Sequence, residues 1–414
     1  MKILHFVGGE LTGGAARGAY WLHKGLIRHG VDSKIFTNSK EHFGDPTVVS
    51  CVGSPVRRIR NIIRLKLDSL VYSVYRNRMN VTFSSGLFGL DITKTPLYEW
   101  ADVIHLHWIS GLVNIRQLSK IEKPVIWTMR DMWPMTGGCH YTLPGDCYRY
   151  REKCFRCPQL RGSWNFDVST LVQQKKAKNL PKNLHVVGIS SWLSECARGS
   201  KIFKQSRVST ISNCIDTDEF KPIQRDIARS LLDLPKDRKI VLAGAQHNSC
   251  NYKGFSYITK LQRALSSEGL FFVFFGNSNE REMGVDRGSC KSFRFLRDSI
   301  SLRLLYSAAD VFIAPSIVEA FGKTLAEAMS CGTPVVCFDA TGPRDIVDHE
   351  INGYRAKAFE TADLIHGVRW VLTHSNYEAL CLNARAKVES KFDHFVIAEE
   401  YLSLYEKSLE NSKS

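Results

Sequence analysis

Two doubly wound α/β domains are the fold class the sequence predicts, and three observations predict it. Strand-length apolar runs alternate with helix-length amphipathic runs through both halves of the chain, the pattern of parallel sheets covered by helices. Residues 2–29 read as a strand, a glycine-rich loop and a helix, the usual opening of such a domain. Residues 310–338, DVFIAPSIVEAFGKTLAEAMSCGTPVVCF, repeat the pattern as strand, loop, helix, turn, strand. With 414 residues the chain is long enough for two complete cores.

The first domain is expected over residues 1–212. Strand 2–7 runs into Gly8-Gly9 and Gly13-Gly14, with a helix from about 15 to 29. No G-x-G-x-x-G is present, so the dinucleotide fingerprint is absent, and a tight turn without a ligand role is the plainer reading of these glycines. A second strand follows at 32–37. Residues 54–80 interleave Arg57, Arg58, Arg60, Arg64, Lys66, Arg76 and Arg78 with Ile59, Ile62, Ile63, Leu67, Leu70, Val71 and Val74 at helical spacing. A basic amphipathic helix or helix pair of this kind suits an anionic membrane surface; a core helix with a solvated basic face reads equally well. Strand 102–108, DVIHLHW, puts His105 and His107 on one face, as cleft groups or as satisfied core histidines. Strand 124–130 ends in Arg130-Asp131. Strands at 184–189 and 207–212 complete this domain, with Ser190-Ser191 capping a helix between them.

A linker is expected at 213–222 and a second domain at 223–390, with the segment 391–414 helical. The second domain opens with KIVLAGA, ending at Gly244-Ala245, and continues through Lys253-Gly254 to the very apolar strand GLFFVFFG and its following Asn277. In the stretch 310–338, Gly322 stands where the helix begins and Cys331-Gly332 where it ends. A helix start presents free main-chain N–H groups and a positive dipole end, which suits a diphosphate. Ala320, Phe321, Gly322, Lys323 and Thr324 would line such a site, with Glu319 before the helix and Glu327 one to two turns along. Solvated surface carboxylates are the alternative from spacing alone.

Composition is ordinary for a globular protein, at 44% hydrophobic and 23% charged. No apolar run reaches the ~18 residues a spanning helix needs, and the first strand begins without a signal peptide's apolar core. A cytoplasmic protein is therefore expected. The net charge of +15 is uneven: residues 1–222 hold 32 Lys+Arg and 17 Asp+Glu, whereas 223–414 hold 24 of each. The first half should meet anionic partners. Twelve cysteines in such a chain argue against a disulfide framework. Cys139, Cys147, Cys154 and Cys157 form C-x7-C-x6-C-x2-C inside a glycine- and aromatic-rich insertion at about 132–160. Structural zinc, free thiols and a disulfide all remain open, with His140 a further ligand candidate.

Glu319, seven residues, Glu327, then Gly332-Thr333-Pro334-Val335-Val336, preceded by Leu305-Tyr306-Ser307-Ala308-Ala309-Asp310, resembles the donor-binding motif of family 4 glycosyltransferases. The resemblance extends over most of the chain, and Asn213–Pro222 is similar to that family's interdomain linker. It implies the GT-B fold, two such domains facing each other across a cleft, with the last helix crossing back to the first. It implies a retaining enzyme that moves a hexose from a nucleoside-diphosphate sugar, with no metal required for the chemistry. The bacterial members it resembles imply surface-polysaccharide assembly on a polyprenyl-diphosphate-linked glycan at the inner membrane face.

By the same resemblance Glu319 holds sugar hydroxyls, Glu327 the ribose, and Lys253 the phosphates, with Gly13, Gly14 and Gly244 close to donor and acceptor. Two departures stand out. Ala245 occupies the place of a phosphate-binding arginine, leaving that load on Lys253 with help from Gln246 or His247. Arg130 stands where many members carry a histidine facing the sugar, so Arg130 and His107 are the catalytic candidates on that side. Two competing readings are a GT-B epimerase or hydrolase and a basic nucleic-acid-binding protein. The aromatic-basic motifs of RNA modules are absent, and nucleic acid is not an expected partner.

Overall fold

The structure, a computed structural model, describes residues 1–40, 44–142, 147–162, 166–244, 251–276, 288–294, 296 and 298–413. The chain divides into two compact units, residues 1–212 with 394–414 and residues 213–393.

Unit 1 begins with β1 (Lys2–Val7), buried from its second residue onward as the centre of a parallel sheet requires. Helix α1 (Gly14–Arg28) follows, turning Ala16, Ala19, Leu22 and Leu26 inward. Then come β2 (Asp32–Thr37), β3 (Val48–Ser50), α2 (Pro55–Ser73), β4 (Val103–Leu106), β5 (Val125–Met129), α3 (Val168–Lys178), β6 (Leu184–Gly188), α4 (Ser191–Arg198) and β7 (Arg207–Thr210). The strands form one sheet in the order β3-β2-β1-β4-β5-β6-β7. The order reverses direction between β1 and β4, the switch point at which doubly wound sheets bind ligands.

Unit 2 contains α5 (Arg225–Leu231), β8 (Ile240–Gly244), α6 (Phe255–Ala264), β9 (Phe271–Phe275), β10 (Cys290–Phe293), α7 (Ser299–Ala308), β11 (Val311–Ala314), α8 (Lys323–Ser330), β12 (Val335–Phe338), β13 (Gly353–Ala356), α9 (Thr361–Leu372) and α10 (Tyr377–Lys391). Its sheet order is β10-β9-β8-β11-β12-β13, and every recorded strand pair is parallel. Asp310, just before β11, is buried and accepts from Arg229 Nη2 and from Ile240 N, both at 2.6 Å. One carboxylate thus joins α5 to the start of two central strands. The chain then returns to unit 1 as α11 (His394–Lys413). This helix packs on α1 so closely that a Cβ on Gly25 would stand 2.2 Å from the His394 carbonyl oxygen.

Helix α2 is seated by its polar side. Ser54 caps it, its hydroxyl accepting from Arg57 N at 3.4 Å, and Pro55 opens it. Its buried residues are Asn61 and Asp68, seven apart and so on one face. The Asp68 carboxylate accepts from Ser85 N at 3.0 Å and Leu87 N at 3.1 Å. The aliphatic face points outward: Val56, Ile59, Ile63, Leu67, Leu70 and the C-cap residue Val74 are 38–74% exposed. At 3.6 residues per turn they form one stripe, bordered by Arg60 on one side and Lys66 on the other. The expectation of a core helix with a solvated basic face therefore fails, because the core-facing side is the polar one. Among the described residues no helix is long and apolar enough to cross a membrane.

Candidate active site

In unit 2 the predicted donor residues gather around the start of α8. Gly254 caps α6 at φ +70°, and a Cβ there would lie 1.9 Å from the Pro315 carbonyl oxygen. Only glycine lets the 315–322 loop come this close. Ile317 N donates to Tyr252 O at 2.7 Å, tying that loop to the segment carrying Lys253. Lys253 Nζ consequently reaches Glu319 Oε2, and the two pair as ammonium and carboxylate. Glu319 is held at its main chain by Thr341 Oγ1, which accepts from Glu319 N at 3.2 Å, and by Gly342 N, which donates to its carbonyl at 2.9 Å.

Gly322, at φ +112°, caps α8 without any side-chain hydrogen bond, so the helix start offers main-chain donors at Gly322, Lys323 and Thr324. Gly244, Lys253, Ser316 and Thr324 line one small hollow of ≈ 10 Å³. Ala320 and Phe321 are both 2% exposed and pack inward; what they can give a ligand is main chain, not side chain. Glu327 is fully buried, with Oε2 accepting from Tyr306 OH at 3.0 Å and Oε1 paired with Lys323 Nζ. Solvated surface carboxylates do not describe either glutamate: each is held by a cation. Ala245, Gln246, His247 and Asn277 lie outside the described residues.

Unit 1 carries the other candidates. Gly13 caps α1 and accepts from Arg17 N at 2.8 Å, and Gly14 is the first helical residue. Arg130 and Asp131, at the end of β5, are 7% and 6% exposed. Arg130 Nη2 donates to His107 Nδ1 at 3.1 Å. That bond fixes the tautomers of a chain through the core. His107 Nε2–H donates to His5 Nδ1 at 2.9 Å, and His5 Nε2–H to Ser33 Oγ at 3.1 Å. Ser33 donates to His23 Nδ1 at 2.7 Å, His23 Nε2–H to Thr47 Oγ1 at 2.8 Å, and Thr47 to Asp45 Oδ1. A guanidinium only donates and a carboxylate only accepts, so every proton between them has one place.

His105 continues the network on its other side. Its Nδ1 bonds the Tyr405 hydroxyl at 2.6 Å and its Nε2 the Thr128 hydroxyl at 2.8 Å, which also meets Tyr401 OH at 2.7 Å. Burial holds His5, His105 and His107 neutral, well below the usual histidine range, and lowers His23 to about 4. Neighbouring imidazoles and the Arg130 charge push His5 and His107 the same way.

This corrects the assignment of His107 as a catalytic candidate. Both its ring nitrogens are taken inside unit 1, by His5 and Arg130, which leaves neither for a substrate. His140 is corrected likewise as a zinc ligand: its Nδ1 meets Asp131 Oδ2 at 2.6 Å and its Nε2 meets Ser84 Oγ at 3.0 Å. Asp131 is further occupied by Trp108 Nε1–H at 2.7 Å and Trp133 N–H at 2.9 Å. Cys139, Cys147, Cys154 and Cys157 are all buried and free, and all four border one cavity.

Sequence reasoning gave no role to Tyr306, although the Leu305–Asp310 run drew notice, and none to Thr341, which anchors Glu319. The histidine chain was missed as well. Its one visible signal is polar His5 and His105 at the centre of otherwise apolar strands.

Residues 225–387 match the family model described as "Glycosyl transferases group 1". An uncharacterized glycosyltransferase of Methanocaldococcus jannaschii, MJ1607, is 24% identical over 97% of this chain and 96% of its own length. The D-inositol 3-phosphate glycosyltransferase of Mycolicibacterium smegmatis is 22% identical over 94% of this chain and 85% of its own. Among solved structures, HepE of Anabaena in complex with UDP and glucose superimposes with a TM-score of 0.67 at 17% identity, covering 98% of this chain and 100% of that one. Sucrose-phosphate synthase of Thermosynechococcus elongatus gives 0.65 at 16%, covering 98% and 99%. The two parallel Rossmann-like sheets and these likenesses give the chain the GT-B fold, and residues 225–387, which hold the donor-type loop and its paired glutamates, are similar to the group 1 glycosyl transferases.

Proposed function

We propose that the protein transfers a hexose, with retention, from a nucleoside-diphosphate sugar to a polyprenyl-diphosphate-linked glycan in surface-polysaccharide assembly. The observation that carries the donor half is the Lys253–Glu319 pair beside the uncapped start of α8. Breaking the bond between the anomeric carbon and the diphosphate leaves the electron pair on the phosphate. Lys253 and the N–H groups at Gly322–Thr324 are charge of the right sign, fixed before the reaction begins. Glu319, released from Lys253 as the phosphates arrive, turns to sugar hydroxyls. Glu327 accepts from ribose hydroxyls, exchanging one of its present donors for them. The acceptor hydroxyl attacks from the face the diphosphate leaves, and its proton passes to a departing phosphate oxygen. Arg130, steadied by His107, serves the sugar or an acceptor phosphate. The HepE complexes contain UDP-glucose, or UDP and glucose, which makes uridine the first base to try.

The acceptor half of this reading is supported by the outward aliphatic stripe of α2 and its basic borders. Such a stripe is stable against the apolar edge of a bilayer, with the arginines and lysine on anionic headgroups. The protein would then work at the inner membrane face without spanning it.

Two experiments test the proposal. A thermal-shift screen of UDP-, GDP- and ADP-sugars should single out one nucleotide series, followed by product NMR for the anomeric configuration. No shift with any of them, or donor turnover that proceeds equally without acceptor, refutes the transfer reading in favour of a hydrolase or epimerase. Sedimentation with phosphatidylglycerol vesicles should fall at least tenfold in Ile59→Gln/Ile63→Gln/Leu67→Gln; unchanged sedimentation refutes the membrane role. Salt-sensitive RNA binding without sugar-nucleotide affinity would replace both.

A further inference from the structure

We propose that Cys139, Cys147, Cys154 and Cys157 hold one structural zinc ion in unit 1, independently of the transfer reaction. All four thiols are less than 10% exposed and face one cavity of ≈ 20 Å³. None of the four lies in a helix or a named strand, so the burial is not a by-product of a shared element. Gly137 reaches its place because it lacks a side chain; a Cβ there would stand 2.9 Å from that of Cys154 and 2.4 Å from the Ser169 carbonyl oxygen.

The cations beside the cavity have the sign a tetrathiolate needs. Lys176 is fully buried, lies 3.7 Å over the Trp133 ring and donates to the carbonyls of Trp133 and Thr136. No carboxylate is bonded to it among the described residues, although Asp131 and Asp68 lie near enough to attract it, as do Cys139 and Cys154. Arg149 Nη1 stands 3.8 Å from the Cys147 sulfur. Zinc binding by four cysteines releases four protons to solvent and leaves a tetrathiolate of charge −2 beside the Lys176 and Arg149 cations. The framework around the cavity is rigid: Gln173, Asp167 and Thr170 of α3 and its cap bond the main chain of Cys154 and Cys157 at 2.6–2.8 Å.

The sulfurs stand wider than metal-bound ones. His5, His105 and His107 are the one group of three or more ligand types drawn within 4.8 Å among the described residues, whereas tetrahedral zinc needs sulfurs about 3.8 Å apart. The ion would draw the four inward. The histidine group does not compete, because each of its ring nitrogens already has a hydrogen-bond partner and Arg130 lies against it.

Metal analysis of protein purified without chelator should find about one zinc per chain, and under about 0.2 in Cys154→Ser/Cys157→Ser. Cys331→Ser, in unit 2, should keep its zinc. Should the double variant not fold, X-ray absorption of the wild type decides: a shell of four sulfurs at about 2.3 Å supports the site. Wild-type zinc under about 0.2 equivalents, a nitrogen-rich shell, a disulfide among these cysteines in the reduced preparation, or full zinc in the double variant each overturns it.

Discussion

Unit 1 should be unusually sensitive to mild acid, and the size of the effect follows from its buried histidines. His5, His23, His105 and His107 are all held neutral by burial, His23 with its value at about 4 against 6.5 when exposed. A folded value below the unfolded one means the unfolded chain binds more protons in between, so stability falls as pH drops below 6.5. At pH 5.5 an unfolded imidazole is about ten parts protonated to one, which costs about 1.4 kcal/mol for each histidine that stays neutral when folded. Four such groups cost about 5 kcal/mol between pH 7.5 and 5.5, comparable with the whole stability of a domain. His185, lowered as well, adds in the same direction. Asp45 and Asp91, lowered from 3.8, do not titrate in this window. Urea unfolding followed by tryptophan fluorescence reads unit 1, which holds seven of the eight tryptophans. His23→Gln should lower stability at pH 7.5 yet lessen the acid loss by about 1.4 kcal/mol. A wild-type loss below about 2 kcal/mol, or an equal loss in the variant, would refute the neutral chain.

Other outcomes concern the donor site. Lys253→Ala should lower kcat/KM by about tenfold or more, the worth of one charged hydrogen bond to phosphate; a twofold change or less is evidence against the assignment. Glu319→Gln should slow transfer while tightening nucleoside-diphosphate binding in calorimetry, because Lys253 no longer has a carboxylate to leave. Tyr306→Phe should raise donor KM about fivefold by freeing one oxygen of Glu327, whereas Glu327→Gln, which also leaves Lys323 without its carboxylate, should cost more than tenfold in kcat/KM. Gly254→Ala should destabilise unit 2 by over about 2 kcal/mol in thermal unfolding, since both its positive φ and the Pro315 carbonyl exclude a side chain.

The elements around the donor loop were legible because their information is local. The run 310–338 carries its own strand periodicity, its cap at Gly322 and its stop at Gly332, and β11, α8 and β12 lie within it. The Lys253–Glu319 pair was not legible, since it joins residues 66 apart through a close approach only Gly254 permits. The histidine chain was hidden for a related reason. His5 and His105 meet because β1 and β4 pair in that register, and no spacing within either strand announces it. Helix α2 shows a different limit. Its periodicity is the same whichever side faces inward, and the choice is made by the 85–87 loop, whose donors claim Asp68. The short strands β3 and β10 were also not foreseen, being edge strands of three and four residues with little apolar pattern.

The return of α11 to unit 1 has a consequence for the order in which the protein can assemble. As the polypeptide emerges during synthesis, everything needed for unit 2 is available before the twenty residues of α11 exist. Until they arrive, the face of α1 around Gly25 lies bare, and His105 and Thr128 lack their tyrosine partners. Residues 1–212 must therefore wait for α11, which follows the whole of unit 2, and they are the part a chaperone would have to shelter meanwhile.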